Sequence, residues 1–226
     1  MPWPRDYKVR TRARIVAKAA AALRDNGVTG VGVAETMARA GLTHGGFYAH
    51  FESKDRLLAE ALEHANRESL ALLVRSLQAA PSEAQLRAVA DAYLSPWHMR
   101  HVGAGCPVAA VGQEVARAGG AILRNLRRIV RERLVWLRGL VPAGRSAQRR
   151  EEEVVGALAC MVGGLILARA VGGKESTELL EACRGFLHRA LADAPIAPSG
   201  TRPTEGHAKK LRARRRQPLA GAPPPT

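Results

Sequence analysis

Aromatic residues are scarce in this chain of 226, at 4% of the sequence, so a core must come mainly from aliphatic side chains and alanine. Cysteine is scarcer still. Cys106, Cys160 and Cys183 are an odd number with no Cys-x-x-Cys pair, which argues against a disulfide framework and against a structural zinc site. No apolar stretch follows Met1-Pro2-Trp3-Pro4-Arg5-Asp6, so no secretory signal is expected. The longest uncharged run, Val154 to Ala168, is bounded by Glu153 and Arg169 and falls short of the roughly 20 residues of a membrane span. A cytoplasmic protein with no membrane partner is expected. Catalytic signatures are missing too: there is no Ser-His-Asp pattern on a strand-turn-helix, no Walker loop and no HExxH. A hydrolase built on Cys106 with His98 or His101 is the one enzymatic alternative, and it lacks a supporting motif. No enzyme, cofactor or metal site is therefore expected.

Acids are outnumbered. Against 20 aspartates and glutamates stand 35 lysines and arginines, for a net charge of +15, which favours a polyanionic partner such as nucleic acid or an anionic surface. The excess is concentrated at the two ends. After Pro195 seven basic residues face one acid, and residues 1–58 carry ten basic residues against five acidic ones.

With 46% hydrophobic residues the chain can bury a real core, and its apolar spacing is helical almost throughout. Helices are expected over 10–25, ending at Gly27, and over 33–40, 43–49 and 53–78. Further helices are expected over 82–94, 107–118, 121–139, 148–171 and 175–193, with irregular links at 96–105 and 141–146. The fold class is all-α. A small N-terminal domain (1–56) would precede a larger helical domain (57–194). A Pro-, Gly-, Ala- and Arg-rich tail (195–226) has little to pack and should be disordered.

The informative stretch runs Gly41-Leu42-Thr43-His44-Gly45-Gly46-Phe47-Tyr48-Ala49-His50-Phe51-Glu52-Ser53-Lys54-Asp55. Gly41 permits a tight turn between two short helices, and Leu42, Phe47 and Phe51 should point inward. Thr43 is expected to cap the next helix. Gly45 and Gly46 cost helix stability, at about 1 kcal/mol each relative to alanine, which suits a place where side chains would obstruct close approach. His44, Tyr48, His50 and Lys54 are left facing outward. A second short helix presenting donors and bare backbone is the major-groove reader of a helix-turn-helix.

These residues closely resemble the TetR family of repressors over about residues 10–58. The resemblance implies that Tyr48, His50 and Lys54 contact phosphates, and that Thr43, His44 and Gly45 read bases or approach the backbone, with Gly46 beside them. Gly32 departs from the family's frequent capping Ser or Thr, and Thr36 stands where a large aliphatic is common. The implied partners are double-stranded operator DNA, a second copy of the chain and a small-molecule inducer of unknown identity. A non-specific architectural DNA-binding protein is the alternative, but the long C-terminal body has no purpose under it.

In that body Gly156, Cys160, Gly164 and Ala168 lie four residues apart and would let another helix approach closely, either within the chain or as the interface of a homodimer. An enclosed ligand site is expected between the central helices. Its candidate lining comprises Trp97, Trp136, Tyr93, His98, Met99, His101 and Met161. Cys106, in Gly105-Cys106-Pro107 at the start of a helix, is a candidate chemical sensor, with His98, Arg100 and His101 close enough in sequence to add positive potential. The Gly-Cys pair also resembles an arrangement in TetR-family repressors of electrophile-detoxifying enzymes.

Overall fold

A computed structural model of the protein describes residues 5–192 apart from 79 and 143. Every regular element among the described residues is helical, and none of them is a strand. The order is α1 (Arg5–Asn26), α2 (Val33–Arg39), a 3-10 turn (His44–Ala49) and α3 (Lys54–Ser76). A 3-10 turn at Ser82–Ala84 leads into α4 (Gln85–Tyr93), followed by α5 (Pro96–Arg100), a 3-10 turn (Val102–Ala104) and α6 (Pro107–Ala118). α7 (Gly120–Arg138), α8 (Ala147–Val171) and α9 (Gly173–Ala190) complete the body. The tail expected over 195–226 lies outside the described residues.

Local chemistry explains several starts and stops. Ser53 caps α3 by accepting the Arg56 N–H at 3.2 Å, and Ser146 caps α8 by accepting the Arg149 N–H at 3.1 Å. α2 has no such cap, because Gly32 stands in that position; instead the buried Thr36 hydroxyl donates to the Gly32 carbonyl at 2.7 Å. The link expected to be irregular over 96–105 is ordered into α5 and a 3-10 turn. Pro96 sits in the first turn, where its missing N–H costs nothing, and the Ser95 hydroxyl accepts the His98 N–H at 3.2 Å.

Two apolar clusters hold the helices together. The first joins Ile15, Ala19 and Leu23 of α1, Met37 of α2, Phe47, Phe51, and Leu57 to Ala65 of α3 with Val111 and Val115 of α6 and Ile122, Leu126 and Ile129 of α7. The second joins Leu73 of α3, Val89, Tyr93 and Leu94, Leu137 of α7, Val154, Met161, Leu165 and Ala168 of α8, and Leu180 and Leu187 of α9. Each such leucine removed from water contributes about 1.5–3 kcal/mol. Packing runs straight across residue 56, since the N-terminal helices share their core with α6 and α7 and α3 serves both clusters.

α8 has 25 residues and, by length and composition, is apolar enough to cross a membrane, which the shorter uncharged run had not suggested. Its Val154, Ala157, Met161, Leu165 and Ala168 nevertheless form the middle of the second cluster, as a core helix does.

Candidate nucleic-acid interface and ligand cavity

The motif of residues 41–55 is supported from beneath. Phe47 and Phe51 are buried with their rings stacked at 5.6 Å, and the Arg12 guanidinium lies 4.1 Å over the Phe51 ring. Arg12 also donates to the His50 carbonyl oxygen and pairs with Glu60 at 2.6 Å. One side chain of α1 therefore ties the motif to α3. Sequence periodicity does not single out Arg12, since its role depends on partners 38 and 48 residues away. Gly41 has φ +70, in the left-handed region that favours glycine, and turns the chain out of α2.

Two expectations are corrected. Thr43 makes no side-chain capping bond; it is an exposed, extended residue ahead of the turn. The element after it is a six-residue 3-10 turn, not an α-helix, as suits a short segment weakened by two glycines. His44, Gly45 and Tyr48 are exposed, Tyr48 by 73%, while Gly46, His50 and Lys54 are half-buried. A Cβ on Gly45 would meet nothing within 4 Å, and one on Gly46 would make only ordinary contact with Met37 at 3.6 Å. Neither glycine has a left-handed φ. Nothing within the protomer requires glycine there. The His50 ring leaves Nδ1 buried without a partner, and its pKa is lowered, first by burial and then by the charges of Lys8 and Arg12.

The five sensing candidates do not converge. Cys106 and Trp136 line a cavity of about 310 Å³ together with Tyr93, Arg133, Leu137 and Met161. Trp97 and His98 line a second cavity of about 250 Å³ beside Leu72 and Ser95. His101 is exposed and stacks on Trp97 at 4.5 Å. Met99 is half-buried against the second cluster.

His98 does not supply positive potential to Cys106, contrary to expectation. Its Nε2 lies 2.8 Å from the Cys106 N–H and must accept, so its Nδ1, 2.7 Å from the Tyr93 carbonyl, must carry the proton. Burial pushes the His98 pKa down to about 4, against the Tyr93 hydrogen bond, with the Arg169 and Arg133 charges adding to the fall. The ring is a neutral staple between the end of α4 and the start of α6. Gly105 makes room for it, since a Cβ there would come within 2.7 Å of the ring.

Cys106 is 3% exposed within the protomer, whereas Cys160 and Cys183 are half-buried. None of the three forms a disulfide. Among the described residues no cluster of histidine, cysteine or carboxylates suits a metal ion.

The small-residue stripe is also reassigned. Ala168 is fully buried, and its carbonyl accepts the Ser176 hydroxyl of α9 at 2.7 Å. A Cβ on Gly164 would come within 2.8 Å of the Cys183 sulfur and 3.2 Å of Leu94. The half-buried Cys160 contacts the Cys183 carbonyl at 3.9 Å. Cys160, Gly164 and Ala168 face α9 of the same chain, whereas Gly156 is exposed. The apolar residues that α8 and α9 leave outside are Val155, Ile166, Leu167, Val171 and Phe186, each 42–55% exposed.

Residues 15–61 match the family model described as bacterial regulatory proteins, tetR family. No curated protein matches the sequence. Solved structures resemble it over most of its length. A TetR transcriptional regulator from Chloroflexus aurantiacus J-10-FL is 25% identical, with a TM-score of 0.71 over 83% of this chain and 97% of that one. A TetR-family transcriptional regulator from Cytophaga hutchinsonii is 17% identical, with a TM-score of 0.74 over 84% and 97%. E. coli NemR in its reduced form is 19% identical, with a TM-score of 0.71 over 83% and 100%; these last two likenesses speak to the fold alone. The matched segment contains the buried Phe47 and Phe51 and the exposed His44 and Tyr48, so residues 15–61 form a DNA-binding domain of the tetR type, and the chain shares the fold of TetR transcriptional regulators over most of its length.

Proposed function

We propose that the protein is a homodimeric repressor that occupies a palindromic operator and leaves it when a small molecule fills the cavity beside Cys106. One observation carries the DNA-reading part. Gly45 and Gly46 could hold a side chain without conflict inside the protomer, so the agent that keeps them bare lies outside it. A duplex approaching the exposed His44–Tyr48 surface is such an agent. His44 faces base edges, Tyr48 and Lys54 face phosphates, and His50 donates as a neutral ring beside Lys8. The copies pair through the exposed apolar residues of α8 and α9, with Ile166, Leu167 and Phe186 at the contact, and a palindromic site mirrors that symmetry.

The inducer must prefer a dimer whose reading turns are wrongly spaced, or it shifts nothing. A second inducer class, an electrophile modifying Cys106, is favoured by the presence of that thiol in the cavity lining. Selection of bound duplexes followed by footprinting tests the function. Protection of a palindrome is expected; uniform protection of unrelated duplexes would overturn it in favour of an architectural role.

A further inference from the structure

The cavity beside Cys106 is almost wholly apolar, lined by residues such as Val89, Leu134, Leu137, Leu158, Met161 and Val162. Two polar groups in its wall stand out because their hydrogen-bonding capacity is not filled. Arg133 is 8% exposed; its Nη2 donates to the neutral Asn66 Oδ1 at 2.9 Å, while its Nη1 is buried with no partner. The hydroxyl of Tyr93, a residue 2% exposed, is likewise buried, with no polar partner beyond the Cys106 thiol beside it, a weak one.

A buried guanidinium is normally matched by a carboxylate, because an isolated charge out of water is costly. Arg24, also buried, follows that rule with Glu68. Arg133 forms no ion pair among the described residues; its other neighbour is the Trp136 ring, 5.7 Å away. Arg169, held by the carbonyls of His98 and Met99, adds a second positive charge to the same region. Burial raises the Tyr93 pKa well above its ordinary value, so its hydroxyl keeps a proton to donate.

We propose that this cavity takes an apolar monoanion, a carboxylate on a hydrocarbon or aryl body, with its head group on the Arg133 guanidinium and the Tyr93 hydroxyl. The carboxylate accepts from Nη1, which has no other partner, and from the phenol, for which it is a stronger acceptor than the Cys106 thiol, and the body replaces cavity space against the aliphatic wall. The volume of about 310 Å³ leaves room for a small organic acid. Octanoate and phenylbutyrate are acids of that kind. This assignment rests on the repressor reading only for its consequence, namely that the acid is the inducer.

The full-length protein is titrated calorimetrically with octanoate, phenylbutyrate and octanamide, with quenching of Trp136 fluorescence as a parallel readout. The acids are expected to bind at least about tenfold more tightly than the isosteric amide. Arg133→Gln should abolish that preference, and Tyr93→Phe should weaken octanoate about tenfold while leaving the melting curve of the free protein cooperative. The comparison of acid with amide on the unaltered protein needs no variant to fold. Equal affinity for acid and amide, or no binding of either acid, overturns the assignment. A separate arm adds octanoate to the protein bound to its selected duplex. An acid that binds without releasing DNA overturns the inducer reading and leaves the cavity assignment standing.

Discussion

The Glu114 carboxylate on α6 accepts a hydrogen bond from the Val28 backbone N–H, 2.8 Å away and 86 residues earlier in the chain. The same carboxylate lies against Gly27, where a Cβ would come within 2.5 Å of it. α6 begins one residue after Cys106, so the helix that borders the cavity also holds the exit of α1. Glu114→Ala should leave a half-buried N–H unpaired and cost about 1–3 kcal/mol, while Glu114→Gln, which keeps an acceptor, should retain most of the stability. Urea denaturation of the two variants checks this.

Contacts to phosphate and to bases should separate in a salt series. Lys54→Ala is expected to lower affinity for every duplex and to reduce the steepness of the salt dependence by about one phosphate equivalent. Tyr48→Phe should weaken all duplexes similarly without altering sequence preference. His44→Ala should relax preference at one position of the half-site. Binding isotherms at several salt concentrations on an operator set with single substitutions distinguish the three outcomes.

Gly45→Ala tests the open surface directly. No atom of the protomer lies within 4 Å of the added methyl, so stability should stay within about 0.5 kcal/mol or improve. Operator affinity should nevertheless fall. Thermal melts paired with a mobility-shift assay measure both, and a loss of stability equal to the loss of binding would remove the inference that an outside partner keeps the site bare.

His98 makes stability depend on pH. Its folded pKa of about 4 lies below the ordinary 6.5, so an unfolded chain takes up a proton that the folded one refuses. The associated stability is fully present above about pH 6.5 and is lost as pH falls towards about 4, amounting to about 3 kcal/mol. Denaturation midpoints across this range should show the loss, and His98→Asn, though less stable throughout, should flatten that part of the curve.

Cys160 should be a slow thiol. Burial, together with the neighbouring Cys183, pushes its pKa up to about 11. Because the thiolate is the nucleophile, its alkylation by N-ethylmaleimide should accelerate about tenfold per pH unit through the mildly alkaline range. Peptide mass mapping after timed exposure reads the rate at each cysteine.

The reading motif is legible in the sequence because its pattern is local. Phe47 and Phe51 lie four residues apart, with Tyr48 and His50 between them, and helical spacing separates inside from outside. The stripe of Gly156, Cys160, Gly164 and Ala168 is legible only in part. Small residues announce that something approaches closely, but not whether it belongs to the same chain; here it is α9, at Cys183 and Ser176. His98 was harder still, since a neutral ring bridging Tyr93 and Cys106 has the same one-letter code as a charged one at the surface. The signal for Arg133 was present, because it falls in the apolar row Ile122, Leu126, Ile129, Leu137 of α7, where an arginine is out of place.

α3 runs unbroken from Lys54, at the DNA-reading end, to Leu73, which lines the cavity. At 23 residues it is a rod about 34 Å long, comparable with the separation of half-sites one duplex turn apart. With no joint along it, a tilt imposed at the Leu73 end is delivered to Lys54 multiplied by the length of the arm, about 1 Å for every two degrees. The gearing runs backwards as well: a duplex that fixes Lys54 in each copy narrows the angles open to Leu73, so a bound operator should resist filling of the cavity by the same free energy with which a filled cavity resists the operator.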